Sequence, residues 1–491
     1  MERVISFFGL FVMIGLAWLM SSHKRKINFR VIAGGLFLQF LFAAIILGTK
    51  PGEVVFKAAG AFFTNLISYV DAGSNFMFLA NSELEIPFQI DGESLDYAEI
   101  RDDVNKPISD AIAQLRDRQG TATITVGNTS KEFDLEKDDW QTELKQWLPG
   151  AVFKFREKNF PRTRQLMTSF AFGVLPTIIF FSSLMTMLYY LGVMQKVVAF
   201  FAWIMQKTLG TSGAESLSAA ANIFVGQTEA PLVIRPYIAN MTLSELNVVM
   251  VGGFATIAGG VLAAYVSMGI DAGHLVTASF ISAPAALLIA KVMHPETEHS
   301  VTMGRVEVVV EERDANLLEA AAKGATDGMK LALNVGAMLI AFLAIIAMIN
   351  GLLGWVGGWL EFRGDSAWTL EKGLGWIFWP FAWLMGIPKA ECRHAGELLG
   401  IKMAANEFIA YDQLGRWMDA GAANPLSERS VRILTYALCG FANFGSIGIQ
   451  LGGIGGIAPE RRGDLARLGL RAMLGGTLAA FMTACIAGVL I

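Results

Sequence analysis

The sequence predicts an all-α polytopic membrane protein with about eight transmembrane helices and a small soluble α+β insertion. Three observations lead there. Of 491 residues, 54% are hydrophobic and a further 51 are glycine, whereas only 17% are charged; soluble domains carry about 25% charge, and no globular core could hide so much apolar surface. Apolar segments run at about 5–20, 31–48, 170–191, 248–268, 275–293, 331–353, 433–454 and 468–491, close to the roughly 20 residues that cross a bilayer as a helix. Charge is also unevenly spread, with 29 of the 82 charged residues between Glu83 and Arg164. The net charge of −4 is too small to imply a nucleic-acid partner. Cys392, Cys439 and Cys485 sit in apolar or glycine-rich surroundings without metal spacing and read as packing residues.

Taken in order, Ile5 to Met20 is followed by His23-Lys-Arg-Lys26 and Arg30, with little positive charge before it. A cleaved secretory signal has the opposite polarity. The segment is therefore a retained helix, with its N-terminus outside and its basic loop in the cytoplasm. Val31 to Gly48 returns to the outside, and Pro51 to about Val70 alternates Glu53 and Lys57 with apolar residues as an interfacial helix would. The charged stretch from Glu83 to Arg164 reads as an extracytoplasmic insertion. Within it, Asp103 to Gln119 has a helical rhythm, and Thr121 to Val126 alternates like a strand before a turn at Asn128. Counting crossings places His294 to Met329 and Arg461, Arg462, Arg467 and Arg471 in the cytoplasm, and both termini outside.

Two regions are apolar yet do not read as simple spans. Val193 to Tyr237 contains Gly210-Thr-Ser-Gly-Ala214 and Asn222-Ile-Phe-Val-Gly-Gln-Thr-Glu-Ala-Pro231; Trp376 to Trp417 contains Gly396-Glu-Leu-Leu-Gly400 and Asn406-Glu-Phe-Ile-Ala-Tyr411. Broken helices at membrane depth require protein or a water-filled cavity to satisfy their backbone. Two such segments in corresponding places of two halves point to a transporter binding site. An ionisable group there costs at least about 2.5–3.5 kcal/mol, so Glu229 and Glu407 need a counter-charge, for which Arg235 is placed, a half-helix end to cap, or a ligand.

Gly226-Gln-Thr-Glu-Ala-Pro-Leu-Val-Ile-Arg-Pro236, Asn316-Leu-Leu-Glu-Ala-Ala-Ala with Gly324 and Asp327-Gly328, Asn406-Glu-Phe-Ile-Ala-Tyr411 and Gly440-Phe-Ala-Asn-Phe-Gly-Ser-Ile-Gly448 occur in one order. Together they resemble the concentrative nucleoside transporter family over the whole chain except about Glu83 to Lys158. The resemblance implies a homotrimer of eight-helix protomers with two re-entrant hairpins in the cytoplasmic (inner) membrane, embedded in membrane lipid. With the charged insertion over 83–164 set apart, it implies scaffold helices with the interfacial helix over 1–82 and a scaffold helix over 165–192. A transport region with the first hairpin follows over 193–293, then a cytoplasmic loop and scaffold helix over 294–365, and a transport region with the second hairpin over 366–491.

Carried onto this sequence, the resemblance assigns Gln227, Thr228 and Glu229 to the nucleobase, with Val261 beside them. Glu407, Asn443 and Ser446 go to the ribose, Phe441 to the pocket wall, and Asn222, Val225, Thr256 and Ile257 to a sodium ion. The residue types suit these roles. Amides and hydroxyls donate and accept, as a base edge requires, and a carboxylate accepts from both hydroxyls of a cis-diol. Asn222 and Thr256 with backbone carbonyls form a neutral oxygen cage for a monovalent cation. The expected function is sodium-coupled nucleoside import by symport, with no other cofactor; a proton-coupled symporter and a polar-solute channel are the alternatives. An enzyme is not expected: HExxH, GxSxG and P-loop patterns are absent, and Gly452-Gly-Ile-Gly-Gly456 lacks a βαβ context.

Overall fold

The computed structural model describes residues 1–50, 175–303, 315–359, 369–418 and 424–491, with parts of 52–148. The chain forms two compact units, one of 1–69 with 177–491 and one of 70–176.

The larger unit is helical. It opens with α1 (Glu2–Leu19) and α2 (Phe29–Gly48), the latter started by the Asn28 side chain, which accepts from the Arg30 N–H. Next, α3 (Leu175–Tyr190) and α4 (Val193–Leu209) bend by 80° at Leu191-Gly192. The first region expected to be interrupted continues as α5 (Gly213–Ala221), an irregular stretch over 222–229 and a 3-10 turn, Ala230–Ile234. Then come α6 (Leu243–Ala255), α7 (Gly259–Ser267), α8 (Ala272–Met293), α9 (Leu317–Trp359) and α10 (Leu370–Leu384). The second interrupted region is α11 (Cys392–Ala404) and α12 (Glu407–Met418), followed by α13 (Glu428–Leu438), α14 (Phe444–Ile457) and α15 (Arg462–Leu490). Among the described residues, α1, α2, α8 and α15 are long and apolar enough to cross a membrane, and α3 with α4 gives a fifth if the bent pair counts as one span. Helices α8 and α15 are buried along most of their length, whereas only about a third of α1 and of α2 is buried.

Three expectations need correction. The segment 248–268 is not one helix: the Thr242–Glu245 capping box starts α6 earlier, and Thr256 ends it in extended geometry before α7 begins. Segment 433–454 is likewise split, because Gly440 adopts φ +115°, which a helix cannot absorb. The loop expected over 294–329 ends early, since α9 starts at Leu317 and runs for 43 residues. At 1.5 Å per residue that is about 65 Å, twice a bilayer core.

A buried ionic cluster staples α5, α6 and α8. Capping boxes start α5 at Ser212–Glu215 and α6 at Thr242–Glu245, and Ser212 donates to Glu245. Lys291 of α8 lies 2.7 Å from Glu215 and 3.2 Å from Glu296. Removing one partner of such a pair strands a buried charge at a cost of about 3–5 kcal/mol. The cluster thereby fixes where the irregular stretch 222–229 leaves α5. All three cysteines are buried and free, as packing residues should be.

The unit of 70–176 holds an antiparallel sheet of β1 (Phe88–Ile90), β2 (Glu93–Ser94), β3 (Thr121–Val126) and β4 (Thr129–Asp134), in the order β2-β1-β3-β4. Strand β3 occupies the expected residues and turns Ala122, Ile124 and Val126 inward, where Phe133 and Leu144 are also buried. Most of the expected helices at 51–70 and 103–119, and the Asn128 turn, lie outside the described residues.

Candidate functional site

The broken segments of the larger unit converge on one pocket. It is lined from the first by Gly226, Gln227, Thr228 and Glu229, and from the α6–α7 break and α7 by Ala258 and Val261. From the second it is lined by Asn406, Glu407 and Phe408, and from the α13–α14 break and α14 by Phe441, Asn443, Ser446 and Ile449. Leu331 of α9 completes the wall.

Glu407 is the first residue of α12, where the free N–H groups of a helix start favour a negative charge. The preceding Asn406 caps the same helix by accepting from the Ile409 N–H at 3.0 Å. Tyr265 of α7 donates to one Glu407 oxygen at 3.1 Å and Asn443 Nδ2 donates to the other at 3.0 Å. The orientation of Asn443 is not arbitrary: its Oδ1 accepts from the Ser446 N–H at 2.9 Å, so its NH2 must face Glu407. Each carboxylate oxygen keeps a second lone pair, so Glu407 is aimed and still able to accept. Nearby, buried Lys402 donates to the carbonyl oxygens of Ala437 at 2.9 Å and Cys439 at 3.4 Å, satisfying acceptors where α13 stops. Those carbonyls would otherwise be stranded at membrane depth.

On the first segment, Glu229 is exposed, and Thr228 donates to it at 3.0 Å. Arg235, expected as its counter-charge, lies exposed on the helical turn Arg235–Ile238. Gln227 is buried, with its Oε1 accepting from Gln450 Nε2 at 3.0 Å. Five residues before it, Asn222 is buried where α5 ends, and neither its Oδ1 nor its Nδ2 has a partner among the described residues. A buried carboxamide in that state is costly, on the order of 1–3 kcal/mol, and calls for a ligand. Thr256 Oγ donates to the Gly252 carbonyl at 2.9 Å and so keeps its lone pairs for a cation. Val225 and Ile257 lie in the same two helix breaks, joined by a hydrogen bond from the Gly259 N–H to the Phe224 carbonyl at 3.1 Å. Among the described residues no cluster of His, Cys, Asp and Glu could hold a metal ion, so a cation here would rely on neutral oxygens.

Comparison with known proteins bears on this geometry. A family profile described as "Na+ dependent nucleoside transporter C-terminus" matches residues 274–488, its N-terminal counterpart matches 8–81, and one described as "Nucleoside recognition" matches 171–272. An uncharacterized transporter of Haemophilus influenzae is 42% identical over all of this chain and 98% of its own length. The chain belongs to the concentrative, sodium-dependent nucleoside transporter family. The sodium/nucleoside cotransporter 1 of Rattus norvegicus is 39% identical over all of this chain, which spans 64% of that longer relative. A solved structure of CNTnw in an inward-facing substrate-bound state superimposes with a TM-score of 0.77 at 38% identity, over all of this chain and 98% of the other. The family fold is thus that of a polytopic membrane transporter, not an enzyme.

All eight residues expected to meet substrate line the pocket: Gln227, Thr228, Glu229, Val261, Glu407, Phe441, Asn443 and Ser446. Sequence reasoning missed the residues that hold them. Tyr265 and Gln450 are single polar groups in apolar helices and were legible only as a rule that such groups need a partner. Lys402 carried the plainer signal of a charge at membrane depth.

Proposed function

We infer that the protein is a sodium-coupled symporter that imports nucleosides across the cytoplasmic membrane. The single observation that carries this reading is the convergence of two carboxylates from opposite broken segments on one pocket, beside an unpartnered buried carboxamide. In this reading Glu407, with Asn443 and Ser446, takes the ribose hydroxyls, and Gln227, Thr228 and Glu229 take the base. Val261 and Phe441 bound it with apolar surface. Asn222, Val225, Thr256 and Ile257 hold sodium through side-chain and carbonyl oxygens. A proton-driven cycle would need a titratable group whose charge alternates; Asn222 and Thr256 are not titratable, and this reading assigns Glu229 and Glu407 to substrate.

The same reading makes the protein a homotrimer in lipid with both termini outside, the 83–164 insertion extracytoplasmic, and the broken segments re-entrant hairpins moving as the transport regions. Helix α9 supports it by exposing Ile340, Met348 and Trp355, an apolar face suited to lipid or another protomer. Uptake of labelled uridine into proteoliposomes tests the function. An inward sodium gradient should drive accumulation that saturates with uridine. Uptake no faster than in empty liposomes under any gradient would refute transport, and non-saturable uridine flux would favour a channel.

A further inference from the structure

Gln227 carries an amide whose two ends require opposite partners, so its orientation decides what a base must present to it. Gln450 of α14 fixes that orientation. Its Nε2 lies 3.0 Å from Gln227 Oε1 and 3.1 Å from the carbonyl oxygen of Met250, and it is fully buried. A backbone carbonyl only accepts, so Gln450 must present its NH2 to Met250. The same NH2 then faces Gln227, which has to answer with its oxygen. The ambiguity that normally attends amide orientation is removed by one main-chain atom. Gln227 Nε2 makes no hydrogen bond among the described residues and is left for the pocket.

The arrangement depends on close packing. Gly253 of α6 leaves the necessary room, since a Cβ there would come within 2.7 Å of Gln450 Nε2 and 2.9 Å of Gln227 Cβ. Asn443 caps the start of α14, and Ser446 and Gln450 follow at i and i+4 on one face of it. One helix therefore braces the Glu407 side of the pocket with Asn443 and the Gln227 side with Gln450.

We propose that Gln450 is a positioning residue for base selection: it holds the Gln227 amide as a hydrogen-bond donor, so that the site selects bases offering a carbonyl oxygen or an unprotonated ring nitrogen at that edge. This rests on the reading that Gln227 meets the base. Replacing Gln450 by an apolar residue frees the Gln227 amide to turn and offer its oxygen, which weakens the distinction between acceptor and donor edges. Recognition of the ribose, centred on Glu407, is untouched.

The test is inhibition of uridine uptake in proteoliposomes by analogues altered in one group. The pyrimidin-2-one riboside and 3-deazauridine change the base edge, and 3′-deoxyuridine changes the ribose. Affinity ratios relative to uridine do not depend on how much folded carrier each preparation contains. In Gln450→Met at least one base-edge ratio should shift by about tenfold, the scale of one hydrogen bond in a dry site, while the ribose ratio stays within about twofold of wild type. Gln227→Ala should shift the same ratio, and adding Gln450→Met to it should change nothing more. Gln450→Leu provides a second shape should the Met variant fail to fold. A base-edge shift in Gln227→Ala but not in Gln450→Met or Gln450→Leu would overturn the proposal alone. Equal losses for every analogue in the Gln450 variants, or a double variant that adds the two effects, would also overturn it. Unchanged base-edge ratios in Gln227→Ala would overturn the underlying reading of Gln227 as well.

Discussion

Glu407 and Glu229 reach the same pocket from corresponding broken segments, but their surroundings differ. Glu407 is 4% exposed, opens a helix, and receives a hydrogen bond on each oxygen from Tyr265 and Asn443. Glu229 is more exposed, and its carboxylate is held within its own loop, by the adjacent Thr228 hydroxyl and by backbone N–H groups of Gly226 and Glu229, with no brace from another helix among the described residues. The first carboxylate is braced before any ligand arrives, and the second stays adaptable. A sugar diol has one fixed geometry, which a rigid acceptor matches at little entropic cost; base edges differ, which a less constrained group tolerates. The asymmetry extends to the backbone. Lys402 ties the carbonyls of the α13–α14 break, whereas Asn222, at the head of the first break, has no partner among the described residues.

If bracing marks the ribose side, Glu407→Gln should have the largest effect. It removes a charge-assisted acceptor worth about 1.5–3 kcal/mol, so the uridine KM should rise roughly ten- to a hundredfold. The variant should also lose most of its preference for uridine over 2′,3′-dideoxyuridine. An unchanged KM with that preference intact would reverse the assignment of the two sides.

Asn222→Ala tests the open side. Loss of one cation-facing oxygen should raise the sodium concentration for half-maximal uptake by about tenfold. The uridine KM at saturating sodium should stay near wild type. A raised uridine KM with unaltered sodium dependence would move Asn222 from the cation to the substrate.

A smaller effect is expected for Tyr265→Phe, which removes one of the two braces and leaves Asn443 in place. A loss of about 1 kcal/mol corresponds to roughly fivefold in uridine KM. The dideoxy analogue, which does not use the diol, should be little affected. Equal losses for both compounds would make Tyr265 a packing residue.

The smallest effect belongs to the insertion, none of whose residues lines the pocket among those described. With residues 85–154 replaced by a flexible linker, detergent-solubilised protein of unchanged oligomeric state should bind uridine within about threefold of wild type, a difference below 1 kcal/mol. A properly assembled variant that does not bind would place the insertion on the substrate path.

The parts of the site that were legible in the sequence are those that violate the chemistry of their surroundings. Glu229, Glu407 and the Gln227-Thr228 pair stand in apolar stretches where polar groups are expensive, and the motif resemblance turned that cost into roles. The braces were hidden for a different reason. Gln450 and Tyr265 find their partners 223 and 142 residues away, and no local spacing encodes such a contact. Hydropathy does not register the breaks at Thr256 and at 439–443, because apolar composition continues through them. What ends those helices is backbone geometry, including the left-handed Gly440. Helix α9 was underestimated because its first turns are polar, and hydropathy detects only the portion that is apolar.

The irregular stretch 222–229 carries Asn222 at one end and Gln227, Thr228 and Glu229 at the other, and the α6–α7 break likewise holds Thr256 beside pocket-lining Ala258. On the proposed reading, a cation that orders the first residues of each break also orders the last, which would link sodium and nucleoside binding by an equal factor in both directions. The most direct measurement is uridine affinity in detergent at fixed pH, in sodium and with choline replacing it, for wild type and Asn222→Ala. At a sodium concentration near the wild-type half-maximal value, wild-type protein should bind uridine at least about tenfold more tightly than in choline, and in Asn222→Ala at that same concentration the advantage should largely vanish. Equal uridine affinity in sodium and choline, together with an affinity that follows pH, would contradict sodium coupling and make the proton the driving ion.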